Sequence, residues 1–336
     1  MRKLVIPALA AAVWVGLSAA PALAAPKVVV SILPIYSLIA GVMQGVAEPA
    51  LLVPVGASPH NYAMKPSDAR TLQSAEIVFW IGEHLENYLE KPLETLAGKA
   101  KVIEVSSVPG LTLLPLRKGG VFEPEAEDEH AGDKHDDDDE HKDDKDTNEH
   151  RAEKNAETGH AHGDTDAHIW LDPDNARRIV RHAVAELSAA DPSNAQKYAA
   201  NGQMMDQRIA ALDDGIKGRL KPVQDRAYIV FHDAYQYFER HFGTKIVGSI
   251  TVSPDQAPGA RRLAELRERI RGTSAVCVFR EPQFPAPVVD SLLRDTGAKA
   301  GVLDPEGADL APGVNAYFTL MDRIADSLAG CLKPAS

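Results

Sequence analysis

The chain has 336 residues, two cysteines and a formal net charge of −12. This length exceeds what one hydrophobic core usually holds, so we expect two domains of roughly 140 residues each. Residues 123–166 contain nineteen Asp and Glu against five Lys and Arg, so this segment carries a charge of −14 and the rest of the chain is near neutral. A near-neutral body lacks the basic surface that nucleic acids need, which excludes nucleic-acid binding.

Residues 1–25 are predicted to be a secretory signal peptide. Arg2 and Lys3 precede an apolar run, and the small-residue sequence Ala22-Leu23-Ala24 supplies a cleavage site. No cysteine near this site could carry a lipid. We therefore expect a periplasmic protein without a permanent membrane anchor.

Short apolar runs that favour strands alternate with helical patterns along the chain. The runs before the acidic segment are 27–33, 50–55, 76–81 and 101–105, and those after it are 168–171, 227–231, 245–252, 275–279 and 300–303. This alternation predicts an α/β fold with mostly parallel sheets. The acidic segment 123–166 has almost no apolar residues and is predicted to be disordered.

Two helices are predicted after the run 168–171, each opened by an Asp-Pro pair. Asp172-Pro173 begins the first helix, and Asp191-Pro192 begins a second that runs to about Leu220. One of the two is expected to join the domains rigidly. The resulting division is an N-terminal lobe at 26–173, a connecting helix at 174–190 and a C-terminal lobe at 191–336.

The two cysteines, Cys277 and Cys331, are expected to form a disulfide bond. In an oxidising compartment a lone pair of cysteines is more often bonded than part of a redox or metal site. The alternative is that Cys277, within the apolar run 275–279, is a buried free thiol.

Four polar side chains lie at or near predicted strand ends, where open parallel sheets bind ligands. His60 follows its strand through a short loop, His232 and Asp304 directly follow theirs, and His168 opens the run after the acidic segment. Three imidazoles and a carboxylate suit a four-coordinate Zn²⁺ ion. Spacing alone is a weak signal, because each residue also has an ordinary structural role available, such as an N-cap for Asp304.

The other histidines receive different interpretations. His84, His182 and His241 are assigned to ordinary surface or helix-end positions, and Glu281 at a strand end is expected to line the cleft or support a ligand. The acidic segment either binds ions weakly or is a solvated linker. Its histidines are His130, His135, His141, His150, His160 and His162.

Six blocks of sequence, spread over the chain after the signal peptide, match the pattern of one family. They are Gly56-Ala57-Ser58-Pro59-His60-Asn61-Tyr62, Pro66-Ser67-Asp68, His168-Ile169-Trp170-Leu171-Asp172-Pro173, Phe231-His232-Asp233-Ala234-Tyr235, Glu281-Pro282-Gln283-Phe284 and Leu303-Asp304-Pro305. Together they resemble the metal-specific cluster of periplasmic solute-binding proteins, in its zinc-uptake branch. The resemblance implies two (β/α)₄-type lobes joined by a long rigid helix, one metal in the interlobe cleft, and a His/Asp-rich loop before the second metal-binding histidine.

The resemblance also implies a ligand set and a function. His60 and His168 from the N-terminal lobe and His232 from the C-terminal lobe would bind Zn²⁺, with Asp304 or water as the fourth ligand. Some zinc members have Glu where Pro59 stands, which leaves that fourth position open. The implied function is high-affinity capture of Zn²⁺ by a monomer and delivery to an ABC permease and its ATPase, without chemistry. A disulfide in the C-terminal lobe of the zinc branch matches the two cysteines.

Three other interpretations remain open at this stage. Manganese members of the family carry a carboxylate where His232 stands, so the histidine favours zinc. A zinc hydrolase could use three histidines and Asp304 or Glu281 as a base. An extracellular adhesin or a metal-storage protein is the third.

Overall fold

The structure is a computed structural model that describes residues 24–117, 165–251, 258–273, 275–284, 287–294 and 296–334. The predicted signal peptide, apart from its last two residues, and the six histidines of the acidic segment lie outside the described residues. Within these ranges, no helix combines the length and apolar character needed to cross a membrane.

Two four-stranded sheets have the same strand order. The first contains β1 (Val28–Val30), β2 (Ala50–Leu51), β3 (Ile77–Trp80) and β4 (Lys101–Glu104), and the second contains β5 (Ala227–His232), β6 (Lys245–Thr251), β7 (Cys277–Arg280) and β8 (Lys299–Val302). Their orders are β2-β1-β3-β4 and β6-β5-β7-β8, and every neighbouring pair is parallel. The two halves therefore repeat one β/α design, which confirms the predicted fold class.

Helices cover both faces of each sheet. They are α1 (Leu33–Val42), α2 (Pro66–Ser74), α3 (Glu83–Glu86), α4 (Glu90–Leu96), α5 (Pro173–Ala190), α6 (Ala195–Leu220), α7 (Gln236–Phe242), α8 (Ala260–Thr273), α9 (Pro287–Leu293) and α10 (Ala316–Leu332). Because both faces are covered, the central strands β1, β3 and β5 are buried at every residue. Such strands read as continuous apolar runs, which is why the sequence predicted them well.

In chain order, the helices α5 and α6 lie between the last strand of the first sheet, β4, and the first strand of the second sheet, β5. Asp172 caps α5 by accepting a hydrogen bond from the backbone N–H of Asp174, with Pro173 in the first turn. Asp191 instead accepts from side chains, including the hydroxyl of Tyr198, ahead of a short 3₁₀ turn. The helix α6 has 26 residues, which makes it about 39 Å long. It packs against α1, α5 and α10 and leads towards β5, so a long helical segment, α5 followed by α6, links the halves.

The strand prediction for residues 168–171 is wrong, because Ile169–Leu171 form one 3₁₀ turn. The side chains of this turn are fully buried. The indole of Trp170 donates to the carbonyl of Pro305, and the hydroxyl of Tyr317 donates to the carbonyl of Trp170. An apolar run that is this short and buried on every side has no period that separates a strand from a turn.

The last two residues of the predicted disordered segment 123–166, Thr165 and Asp166, lie within the fold. Thr165 forms an antiparallel bridge with Pro115, and the backbone N–H of Asp166 donates to the carbonyl of Leu114. Asp166 is only 1% exposed. Because Asp166 is acidic, the sequence assigned it to the acidic segment. Its carboxylate instead contacts His168 and Gln236 within the fold.

Cys277 and Cys331 form the predicted disulfide bond, which ties β7 to the last turn of α10. The first turn of α10 binds the other half of the molecule. The hydroxyl of Ser37 in α1 accepts from the backbone N–H of Tyr317 and donates to the carbonyl of Val314. The last helix therefore contacts both halves.

Candidate metal centre

His60, His168 and His232 converge at one place between the two sheets. One ring nitrogen from each lies within 4.8 Å of the others, and the Nε2 atoms of His168 and His232 are 3.2 Å apart. A tetrahedral ion bound to nitrogen at 2.0 to 2.1 Å separates its ligand atoms by about 3.3 to 3.4 Å. The spacing of these two nitrogens fits such an ion.

The three histidines come from different parts of the fold. His60 lies in the loop between β2 and α2, where its backbone N–H donates to the hydroxyl of Ser58. His168 immediately precedes the 3₁₀ turn that leads to α5. His232 is the last residue of β5, next to β7, where the strand order of the second sheet reverses. Ligand sites in open parallel sheets occur at such a reversal.

Glu281 holds His232 in place. It follows β7 directly, it is 2% exposed, and its carboxylate oxygens are 2.7 and 2.8 Å from Nδ1 of His232. Burial lowers the pKa of His232, but the charge and hydrogen bond of Glu281 outweigh burial and raise the pKa above its usual value. A carboxylate that binds Nδ1–H fixes the tautomer and turns Nε2 towards a metal. This matches the supporting role that the sequence suggested for Glu281.

Asp166 holds His168 in the same way, and the sequence did not identify it. Its Oδ1 is 2.8 Å from Nδ1 of His168 and 3.0 Å from the backbone N–H of the same residue. Its Oδ2 accepts from the side-chain amide of Gln236. The available signal was the spacing Asp-x-His, because an Asp side chain readily reaches the residue two positions on.

His60 has no carboxylate partner of this kind among the described residues. Its Nε2 is buried and has no hydrogen-bond partner there. Burial, followed by the positive charge of His168 and His232, lowers the pKa of His60 well below its usual value. His60 is therefore a neutral imidazole with an unsatisfied buried nitrogen, and a metal ion would satisfy it.

The facing nitrogens of His168 and His232 favour a positive ion between them. Both Nδ1 atoms are committed to carboxylates, so in neutral rings both Nε2 atoms carry lone pairs that repel each other at 3.2 Å. A proton on His232 relieves this repulsion, and a metal ion relieves it equally. The carboxylates of Asp166 and Glu281 supply two negative charges, which balance a divalent ion.

Asp304 lies outside this group of ligand atoms within the described ranges. Its carboxylate accepts from the backbone N–H groups of Glu306, Gly307 and Ala308 and from the side-chain amide of Gln283. The residue stabilises the loop after β8 through these bonds.

The remaining histidines within the described residues lie away from the centre. His84 is in α3, and His182 on α5 is 3.6 Å from Glu186. His241 is at the end of α7, between two carboxylates.

Comparison with known proteins identifies the family. The family model described as ZnuA, zinc-uptake complex component A periplasmic, matches residues 28–331. The high-affinity zinc uptake system protein ZnuA of Brucella suis biovar 1 is 42% identical over 308 residues, covering 91% of each chain. The protein of the same name from Yersinia pestis is 37% identical over 311 residues, covering 93% of this chain and 92% of that protein.

Solved structures share the fold. A crystal structure of ZnuA covers 92% of this chain and 100% of its own, with a TM-score of 0.73 at 24% identity. A mutant of the laminin-binding adhesin Lmb from Streptococcus agalactiae covers the same shares, with a TM-score of 0.70 at 21% identity. At these identities the likeness shows the fold alone. The sequence matches go further, and the chain belongs to the ZnuA family of periplasmic zinc-uptake complex components.

Proposed function

We propose that this chain captures Zn²⁺ with high affinity in the periplasm and delivers it to the permease of an ABC transporter, whose ATPase drives import. The observation that carries the proposal is the convergence of three buried imidazoles, two of them held by carboxylates through Nδ1. Neutral imidazole nitrogen is a preferred zinc ligand. Relatives that align over nine-tenths of the chain are named high-affinity zinc uptake system proteins.

The proposed ligands are His60, His168 and His232, with water in the fourth position. Asp304 is the alternative fourth ligand, but it would have to give up bonds to three backbone N–H groups. These bonds are part-buried, so leaving their N–H groups without acceptors would cost up to about 1 to 3 kcal/mol each. Water carries no such cost.

Capture exchanges a proton for the metal. In the metal-free protein the raised pKa of His232 favours an imidazolium whose Nε2–H faces His168. Zinc binding displaces that proton, while both Nδ1–H bonds to Asp166 and Glu281 stay in place. Docking to the permease then opens the cleft and releases the ion.

The hydrolase alternative depends on a carboxylate that is free to act as a base. The sequence offered Glu281 and Asp304 for this role. Glu281 binds His232 through both oxygens, and Asp304 binds a row of backbone N–H groups. Because these contacts occupy both carboxylates, they favour transport over hydrolysis. Zinc-dependent turnover of ester, peptide or phosphate substrates would instead favour the hydrolase.

The division into lobes and the role of the acidic segment belong to the proposal. The lobes are 26–173 and 191–336 with the link at 174–190, and the matching sheets on either side of α5 and α6 support this division. The six histidines of 123–166 would bind zinc more weakly than the cleft, because a segment whose sequence predicts disorder would have to become ordered to chelate.

The test is calorimetric zinc titration of the metal-stripped chain without residues 1–25. It is compared with a deletion of 123–164, which keeps Asp166, and with that deletion carrying His232→Ala or the control His182→Ala. We expect one tight equivalent that survives the deletion and the control and disappears with His232→Ala. If zinc binds only weakly, and only when the acidic segment is present, the proposed site is wrong.

A further inference from the structure

His241 lies between two carboxylates from different helices. Its Nε2 is 2.8 Å from Oδ1 of Asp213 in α6, and its Nδ1 is 3.2 Å from Oδ1 of Asp172, the N-cap of α5. The three side chains are 10 to 16% exposed. The sequence interpretation of His241 as an ordinary helix-end residue missed this arrangement.

The geometry favours the charged form of His241. A neutral imidazole has one N–H, so one of its two carboxylate contacts would place a lone pair against a negative oxygen. An imidazolium donates to both. Burial lowers the pKa of His241, but its bonds to Asp172 and Asp213 outweigh burial and raise the pKa above the usual value.

The other charged groups around His241 favour a cation as well. Asp174, at the start of α5, brings a carboxylate oxygen within 4.8 Å of the His241 and Asp172 ligand atoms. On α6, Lys217 is 2.7 Å from Asp213 and offsets part of its charge. Arg177 on α5 is 3.8 Å from Asp174 but is shared with Asp206, so it offsets only part of the charge of Asp174. Three carboxylates against one ammonium and one shared guanidinium leave the surroundings of His241 negative.

The remaining titratable neighbours change this balance little. On α7 itself, Glu239 is paired with Arg117, and Arg240 is the other cation of the last turn. The tyrosines are Tyr237 on α7 and Tyr317 on α10, and burial raises the pKa of both, so they stay neutral in the range where His241 titrates.

The helix that carries His241 also binds the segments that lead to His168. The hydroxyl of Tyr237 donates to the carbonyl of Asp166 and accepts from the backbone N–H of Leu114. The side-chain amide of Gln236 donates to the carboxylate of Asp166. The helix α7 therefore connects the end of β5, which carries the proposed ligand His232, to the segment that carries the proposed ligand His168.

We propose that His241 is a positioning residue, an imidazolium that clamps α7 to the start of α5 and to α6 and so keeps His168 and His232 at zinc-binding distance. Asp172 follows His168 by four residues, and His241 follows His232 by nine, so the clamp spans both ligand segments. The effect on zinc rests on the proposed function; the clamp itself does not.

The clamp has a characteristic pH dependence. Because the pKa of His241 is higher in the folded than in the unfolded chain, its stabilising effect is complete below about pH 6.5 and is lost as pH rises through the folded pKa. Zinc binding depends on pH with the opposite sign, since ligand histidines must lose protons. Unfolding of the metal-free protein therefore separates the two effects.

The test compares urea unfolding of the metal-free wild type with His241→Gln, which keeps an amide donor but has no charge. The control is His182→Gln, on the outer side of α5. We divide the unfolding constant of His241→Gln by that of the wild type and expect this ratio to be at least about threefold larger at pH 6 than at pH 8.5. The same ratio for the control His182→Gln should not change with pH. A pH-independent ratio for His241→Gln would overturn the clamp.

Two further measurements complete the test. An NMR titration of the His241 ring in the wild type needs no folded variant, and a pKa at or below the usual value overturns the clamp. Zinc affinity at neutral pH should fall about tenfold in His241→Gln, and an unchanged affinity overturns the positioning role. A second zinc equivalent that disappears in this variant would make the cluster a cation site instead. If the wild type binds no zinc tightly, the proposed function fails, while the unfolding result still decides the clamp.

Discussion

Replacing Glu281 by Gln should weaken zinc binding about tenfold. The variant keeps the shape of the side chain, and its amide oxygen can still accept the Nδ1–H of His232, but the negative charge is lost. A charge-assisted hydrogen bond contributes about 1.5 to 3 kcal/mol and a neutral one about 0.5 to 1.5 kcal/mol. A carboxylate that holds a ligand histidine typically contributes about 10- to 100-fold to metal affinity, and because Gln keeps the acceptor we expect the lower end of this range. Glu281→Ala leaves the Nδ1–H buried without that acceptor, and we expect about a hundredfold loss.

The assay is competition with a chelator of known affinity at about pH 8, where proton competition at His232 is smallest. The control is Glu76→Gln, because Glu76 is exposed and accepts from the backbone N–H of Lys27 just before β3, at the amino end of that strand, whereas the proposed site lies beyond the carboxyl ends of the strands. Equal affinities for the wild type and both Glu281 variants would refute the argument that this carboxylate prepares His232 for the metal.

Three other changes test the site and the packing around it. Zinc affinity should fall as pH drops through the raised pKa of His232, because the proton then competes for Nε2; titration between about pH 8 and pH 5 checks this. Replacing Cys277 and Cys331 by Ser should cost about 4 kcal/mol, since the bond closes a 54-residue separation, and urea unfolding measures the loss. Gly301→Ala should cost about 1 to 3 kcal/mol, because its Cβ would overlap the buried ring of Phe279, and the same unfolding assay applies.

Each of these predictions has an outcome that contradicts it. Constant zinc affinity down to pH 5 would remove His232 from the ligand set. A double serine variant as stable as the wild type would mean that packing alone fixes α10. The control for Gly301 is Gly215→Ala on α6, where an added Cβ meets no atom within 4 Å, so alanine should be neutral or stabilising there. Equal losses at both glycines would rule out overlap with Phe279 as the cause.

The sequence predicted the sheets because of how they are covered. Helices on both faces keep β1, β3 and β5 apolar at every residue, and such runs stand out from the amphipathic helices between them. The same reasoning failed at Ile169–Leu171, where the apolar run is buried by Pro305 and Tyr317 rather than by neighbouring strands. An apolar run in a sequence indicates that a segment is buried, but it does not show whether strands, helices or loops cover that segment.

The site was partly predictable for a related reason. His60 and His232 follow strands of parallel sheets, and these strand ends are the usual place for a ligand. Asp166 was missed because it reads as part of the acidic segment, although the spacing Asp-x-His could have indicated its bond to His168. His241 was missed because Asp213 is 28 residues away and on another helix. Partners brought together by tertiary structure leave no local pattern.

In the proposed mechanism, two histidines with raised pKa values act on zinc binding with opposite signs. The proton on His232 must leave for the metal to bind, so affinity rises as pH increases through its pKa. The proton on His241 must stay for the clamp to hold, so the benefit of the clamp falls as pH increases through its own pKa. The two protons therefore affect zinc affinity in opposite directions as pH rises. His241→Gln should remove this loss of affinity with rising pH, keep affinity about tenfold lower where the clamp would be charged, and leave the dependence on the His232 proton unchanged, because the proton that zinc displaces is not the proton that holds the cleft together.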